Sequence, residues 1–97
     1  MPNGYWIVRV TVRDAGRYPD YLAAANPAFE KFGARFLVRG GRHEVMEGDG
    51  RERNVVVQFK DYDTALACYH SPEYRAAKGI RNANADADFV IVEGAAT

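Results

Sequence analysis

The sequence predicts an α+β fold, with helices packed on one face of a four-stranded antiparallel sheet in the order β-α-β-β-α-β. Three observations carry the prediction. Four stretches rich in β-branched and aromatic residues either alternate apolar and polar side chains or form a compact apolar run. Two intervening stretches repeat apolar residues every three or four positions, the period of a helix. Glycine, proline, asparagine and aspartate collect at the junctions. The 97 residues are expected to form one domain, residues 1–97, because two would each be too small to hold a core.

Tyr5 to Val12 reads as the first strand and ends before the turn-forming Asp14-Ala15-Gly16. Trp6, Val8, Val10 and Val12 make an apolar face, and Tyr5, Ile7, Arg9 and Thr11 a mixed one. The first helix follows, with Tyr18, Tyr21, Leu22, Ala25, Phe29 and Phe32 at helical steps. Pro19 suits its first turn, Pro27 predicts a break or kink, and Gly33 ends it. Arg35 to Arg39 is the second strand, with Phe36 and Val38 opposing Arg35, Leu37 and Arg39.

Gly40-Gly41 interrupts this strand, and His43 to Glu47 is expected to resume extended structure before the turn Gly48-Asp49-Gly50. Asn54 to Phe59 is the third strand, with Val55, Val57 and Phe59 on one face. The two should pair as an antiparallel hairpin with a bulge or bend at the glycine pair. Asp63 is expected to cap a helix from Thr64 to His70, with Ala65, Leu66 and Tyr69 inward. Ser71-Pro72 opens a further helical piece to about Asn82, with Tyr74, Ala77 and Arg81 on one side. Asp88 to Glu93 reads as a short buried final strand.

Right-handed crossovers place both helical segments on the same face of the sheet, which is the ferredoxin-like arrangement. The apolar strand faces then lie under the helices. The mixed faces, with Tyr5, Ile7, Leu37 and Val56, have nothing of this chain to cover them, so a homodimer through the open sheet face is expected.

Thirteen Lys and Arg balance thirteen Asp and Glu. A protein built for polyanions shows a basic excess, so neither nucleic acid nor an anionic membrane is an expected partner. An RNA-recognition module shares this element order, but Asn54-Val55-Val56-Val57-Gln58-Phe59 lacks the basic-Gly-aromatic run of its third strand. The lone cysteine, Cys68, cannot form a disulfide within the chain. With no apolar signal stretch at Met-Pro-Asn-Gly, a cytoplasmic location is expected. Two histidines and one cysteine at unrelated spacings signal no metal site.

Two segments carry chemistry-bearing residues. In Arg39-Gly40-Gly41-Arg42-His43, glycines let the backbone approach an anion that guanidinium forks would hold; the plain alternative is a bulged strand junction with solvated arginines. In Tyr69-His70-Ser71-Pro72-Glu73-Tyr74, His70 is a candidate general acid or base and Tyr74 a candidate to orient or protonate substrate. The plain alternative there is a capped helix junction. Arg81 is expected either to reach the cleft between helices and sheet near Tyr74 or to form a surface salt bridge, and Tyr21 and Trp6 either to line that cleft or to pack as ordinary core residues. Arg9, Gln58 and Arg39 fall on the mixed face. The candidate catalytic residues are therefore His70 and Tyr74, and the candidate ligand-binding residues Arg39, Arg81 and Tyr21.

Several blocks carry a family resemblance: Gly4-Tyr5-Trp6-Ile7, Phe36-Leu37-Val38-Arg39-Gly40-Gly41, Glu47-Gly48, Ala67-Cys68-Tyr69-His70-Ser71-Pro72-Glu73-Tyr74 and Val90-Ile91-Val92-Glu93-Gly94. In this order they resemble the domain of unknown function 1330 (DUF1330) family. The resemblance implies the dimeric α/β-barrel superfamily, whose members pair two ferredoxin-like sheets face to face. It implies no single activity, since relatives include cofactor-free monooxygenases, isomerases, haem-handling enzymes and binding modules. Two functions are therefore carried forward. One is a small-molecule enzyme without a bound cofactor, of isomerase or oxygenase type, acting on a small anionic or aromatic ligand. The other is a non-catalytic dimeric ligand-binding or interaction module.

Overall fold

The computed structural model describes residues 2–96. Its elements are β1 (Gly4–Val12), α1 (Tyr18–Lys31), β2 (Arg35–Arg39), β3 (Arg53–Phe59), α2 (Tyr62–His70), α3 (Pro72–Asn84) and β4 (Ala85–Glu93). The sheet order is β2-β3-β1-β4, antiparallel throughout. This is the ferredoxin-like architecture that the alternation predicts, with β1 and β3 central. The shortest dimension of the molecule is 17 Å, the thickness of one sheet and one helix layer.

Helix-facing side chains of β1 and β3, namely Trp6, Val8, Val10, Val55, Val57 and Phe59, are buried against Tyr21, Phe29 and Tyr74. Trp6 stands at the centre. Its ring packs against Phe29, Phe59, Tyr69, Tyr74 and Phe89 at centroid distances of 4.9–6.2 Å, and its indole N–H donates to the Ala65 carbonyl at 2.9 Å. Gly4 is required at the start of β1, where a Cβ would collide with the Asp61 backbone.

Helix ends follow local chemistry. Gly33, at φ +67°, closes α1, and the Ala34 N–H reaches back to the Phe29 carbonyl at 2.9 Å. Ser71 caps α3 by accepting from the Tyr74 N–H at 3.1 Å, one residue before Pro72. Three expectations are corrected here. α1 runs unbroken through Pro27: Pro27 and Ala23, whose carbonyl loses its partner, are both exposed to solvent. The cap of α2 is Asp61, not Asp63; its carboxylate accepts from the Thr64 N–H at 2.7 Å, and the helix begins at Tyr62. His43 to Glu47 forms no strand, because that stretch finds no neighbour to pair with and lies in the loop between β2 and β3.

The bulge also moves. It lies at Leu37 rather than at the glycines: Phe36 pairs with Val57, but Val38 pairs with Val56 and Arg39 with Val55. Val38 therefore joins the open face and Arg39 the helix face, the reverse of simple alternation. β4 is longer than expected and not buried on both sides, since Val90 and Val92 are exposed. Together with Ile7, Leu37 and Val38 they make an apolar open face, with Val38, Val56, Ile7 and Val90 in register across the four strands. Arg9 is level with Asn54 on that face, and Gln58 bonds instead to the Tyr5 hydroxyl at 3.3 Å.

Candidate functional site

Between α1, α3 and the sheet lies a cavity of about 30 Å³, room for roughly two water-sized groups. Its walls are mostly apolar, with Trp6, Val8, Val10 and Phe36 among them. The polar exceptions are Tyr21 and Tyr18 from α1, Arg81 from α3, Arg53 from β3 and Arg39 from β2. No carboxylate among the described residues lines it.

Each of these residues is placed by its element. Tyr18 and Tyr21 share the inner stripe of α1. Arg81 lies seven residues after Tyr74, two helical turns along the buried side of α3. Arg53 opens β3 on the same face as Val55 and Val57, opposite Val10. The bulge at Leu37 turns Arg39 to this side, where its guanidinium stacks 4.1 Å from the Phe36 ring centre at the exposed mouth. Gly40, at φ +70°, leaves space for Arg53: a Cβ there would stand 2.5 Å from a terminal nitrogen of that guanidinium.

The inner end of the site is a hydrogen-bonded chain. Arg81, only 5% exposed, donates from Nη1 to the Tyr74 hydroxyl at 2.7 Å. The Tyr74 and Tyr21 hydroxyls are 2.8 Å apart. Satisfaction fixes the direction of this second bond. Tyr74 is fully buried, its oxygen already accepts from a cation, and the Tyr21 oxygen is the one acceptor within reach of its proton among the described residues. Tyr74 therefore donates to Tyr21, and the Tyr21 proton is free to point into the cavity.

Burial raises the Tyr74 phenol far above its ordinary pKa, and burial likewise raises Tyr21 despite the lowering effect of its bond to Tyr74. Both stay protonated at neutral pH. Burial works against the Arg81 charge, but the facing oxygens of Tyr74 and Tyr21 outweigh it, and the guanidinium remains charged.

Three of the five residues singled out from sequence, Tyr21, Tyr74 and Arg81, thus form one connected group, and Arg39 stands at the mouth of the same cavity. Tyr74 lies behind the wall rather than on it. His70 is outside: it sits exposed at the C-terminal end of α2, edge-on to the Tyr69 ring at 5.2 Å. Cys68 is buried, and burial followed by the nearby Glu73 pushes its thiol up to about 12, so it carries no thiolate chemistry at neutral pH. Among the described residues no group of three His, Cys, Asp or Glu side chains is arranged to hold a metal ion. No helix among them is long and apolar enough to cross a membrane.

Sequence reasoning missed Arg53 and did not assign Tyr18 to the site. The signal for Arg53 was present. Extending the alternation of Val55, Val57 and Phe59 back by two residues puts Arg53 on the helix side.

The model of the domain of unknown function family DUF1330 matches residues 3–95, nearly the whole chain, and the chain belongs to that family. No curated protein matches it. Among solved structures it is similar to a protein of unknown function from Rhodopseudomonas palustris, at 16% identity and a TM-score of 0.79, covering 99% of this chain and 85% of that one. It is similar to a dimeric ferredoxin-like protein of unknown function from Jannaschia sp. CCS1, at 18% identity and a TM-score of 0.71, covering 94% and 98%. It is also similar to SnoaB, a cofactor-independent oxygenase from Streptomyces nogalater, at 14% identity and a TM-score of 0.63, covering 100% and 97%. At these identities the likeness establishes the ferredoxin-like fold.

Proposed function

We propose that this DUF1330 protein is a homodimer whose helix–sheet cavity holds a small molecule and moves a proton on it, in an isomerase- or oxygenase-type role that needs no bound cofactor. The observation that carries this reading is the Arg81–Tyr74–Tyr21 chain, which ends on a cavity wall instead of on another protein group. A purely structural tyrosine pair would close on a backbone carbonyl.

When an enol or phenol loses its proton to water at the mouth of the cavity, negative charge develops on its oxygen. The Tyr21 hydroxyl would donate to that oxygen, with the Arg81 charge transmitted through Tyr74 and applied directly by its own side chain. In this scheme Tyr21 touches substrate and Tyr74 positions Tyr21 and Arg81. Arg39, exposed at the mouth, meets the ligand on its way in. His70 has no part, because it lies outside the cavity. SnoaB, of the same fold, supports a cofactor-independent class of chemistry. The homodimer is supported by the uncovered apolar face and by the dimeric neighbour from Jannaschia.

One observation favours a second reading. A cavity of about 30 Å³ accommodates a head group and not a whole ring, which suits a non-catalytic ligand-binding module. The experiment that separates the two follows deuterium exchange at carbon in enolisable ketones and oxygen uptake with dihydroxylated aromatics. Under the first reading at least one class reacts faster with protein, and Tyr21→Phe lowers that rate by roughly a hundredfold or more. Binding of the same compounds without acceleration of either reaction leaves the second reading. Sedimentation at micromolar concentration checks the dimer, and a monomer there removes it.

A further inference from the structure

Two arginines that line this mostly apolar cavity carry buried donors without an acceptor among the described residues. Arg81 Nε is buried and unpartnered, and so is Arg53 Nε. The Tyr21 hydroxyl, once Tyr74 has donated to it, has a proton and no group among the described residues to receive it. All three residues line the same space. Among the described residues no salt bridge involves Arg81, Arg53 or Arg39; the four ion pairs are formed by Arg13, Arg17, Lys31 and Arg51, all elsewhere.

Such an arrangement is costly without a matching anion. Arg81 is a buried residue whose guanidinium loses much of its hydration, and the Tyr74 hydroxyl and the Asn82 side-chain oxygen return only dipoles. Water would accept the orphan bonds but leave the charge uncompensated beside apolar walls. A carboxylate satisfies both requirements, because it has only acceptors and carries the opposite charge.

We infer that the cavity binds a small organic carboxylate, its two oxygens accepting from the guanidinium groups of Arg53 and Arg81, with Tyr21 left to the reacting oxygen and the apolar body lying toward the mouth along Phe36. This rests on the proposed small-molecule site and specifies what that site takes. The volume fits the division of the ligand. About 30 Å³ admits a group of carboxylate size at the inner end, while the ring of Phe36 and the stacked Arg39 flank the outer end.

The test uses acid–amide pairs of the same shape: acetate and acetamide, propionate and propionamide, benzoate and benzamide. Two signals report on the cavity itself. The protein has one tryptophan, and Trp6 lines the site, so its fluorescence follows occupancy. The Nε–H resonances of Arg53 and Arg81 in a ¹⁵N-labelled sample follow the orphan donors directly. At least one acid should bind saturably, shift both Nε–H signals, and bind roughly tenfold or more tightly than its amide. Arg53→Met, a change at a half-buried strand end that spares the aromatic core, should remove most of that preference.

Equal binding of acid and amide would overturn the carboxylate assignment and leave the small-molecule site standing. Acid binding that is unaffected in Arg53→Met and leaves both Nε–H signals unmoved would place the anion elsewhere, and would likewise overturn it. No change in Trp6 fluorescence or in either Nε–H signal with any of the six compounds would sink both the assignment and the site.

Discussion

Trp6 and Ile7 are adjacent in the chain, yet Trp6 is 1% exposed beneath the helices and Ile7 is 41% exposed on the other side of the sheet. The helix side is finished by the chain itself. It has an aromatic core, a cavity at one end, and arginine charge without acid among the described residues around that cavity. The open side carries a band of apolar residues from Val38 through Val56 and Ile7 to Val90 that nothing among the described residues covers. The difference is a division encoded by alternation: one face makes the fold and the candidate site, and the other, under the proposed function, is the face that associates.

Substitutions at the two neighbours give the largest contrast. Trp6→Ala should destabilise the fold by about 3–5 kcal/mol, because five ring contacts and a buried indole bond are lost together. Urea denaturation followed by far-UV circular dichroism measures it. Ile7→Asp should leave the folded spectrum and the Trp6 emission intact but move the sedimenting species from dimer to monomer, since a carboxylate would be buried in the interface. A dimer that survives Ile7→Asp would show that association uses another surface.

Within the helix side the comparison sharpens to one oxygen. Tyr74→Phe keeps the ring packed but leaves Arg81 Nη1 without its 2.7 Å partner, and should cost about 1–3 kcal/mol in the same urea experiment. The smallest effect is acid sensitivity on the periphery. Asp61 is held below the ordinary carboxylate range by its side-chain bond to Thr64, Glu73 by Lys31 and Asp88 by Arg51. Depressed pKa values in the folded state contribute stability that is complete above the unfolded value, near pH 4, and lost as pH falls through the lower folded values. Stability should therefore be flat from neutral pH to about 5 and decline only below about 4, and Asp61→Asn should shrink that decline.

Much of this was legible in the sequence, and particular residues show why. Alternation in Tyr5 to Val12 and Asn54 to Phe59 gives both sheet faces, because burial on one side imposes the period. Helical spacing brings Tyr74 and Arg81 to one side of α3 and Tyr21 to the facing side of α1, so the meeting of these three side chains follows from three spacings. Arg39 was assigned to the wrong face, since a bulge inserts a residue without any local mark in Phe36-Leu37-Val38. Arg53 was missed because it stands at a strand end, where polar side chains ordinarily reach solvent. His70 stood out by residue type alone, and residue type does not tell a helix end from a cavity wall. The direction of the Arg81–Tyr74–Tyr21 bonds needed three-dimensional neighbours, because it depends on which acceptors are absent.

The single extra residue at Leu37 sets the phase of the whole second strand. Upstream of it, Phe36 is indexed to the core; downstream, Val38 and Arg39 have exchanged sides. A shortening of the chain by one residue there would carry the Arg39 charge from the helix side, at the mouth of the cavity, to the open apolar face. Length at this point, as much as composition, decides which compartment the charge serves.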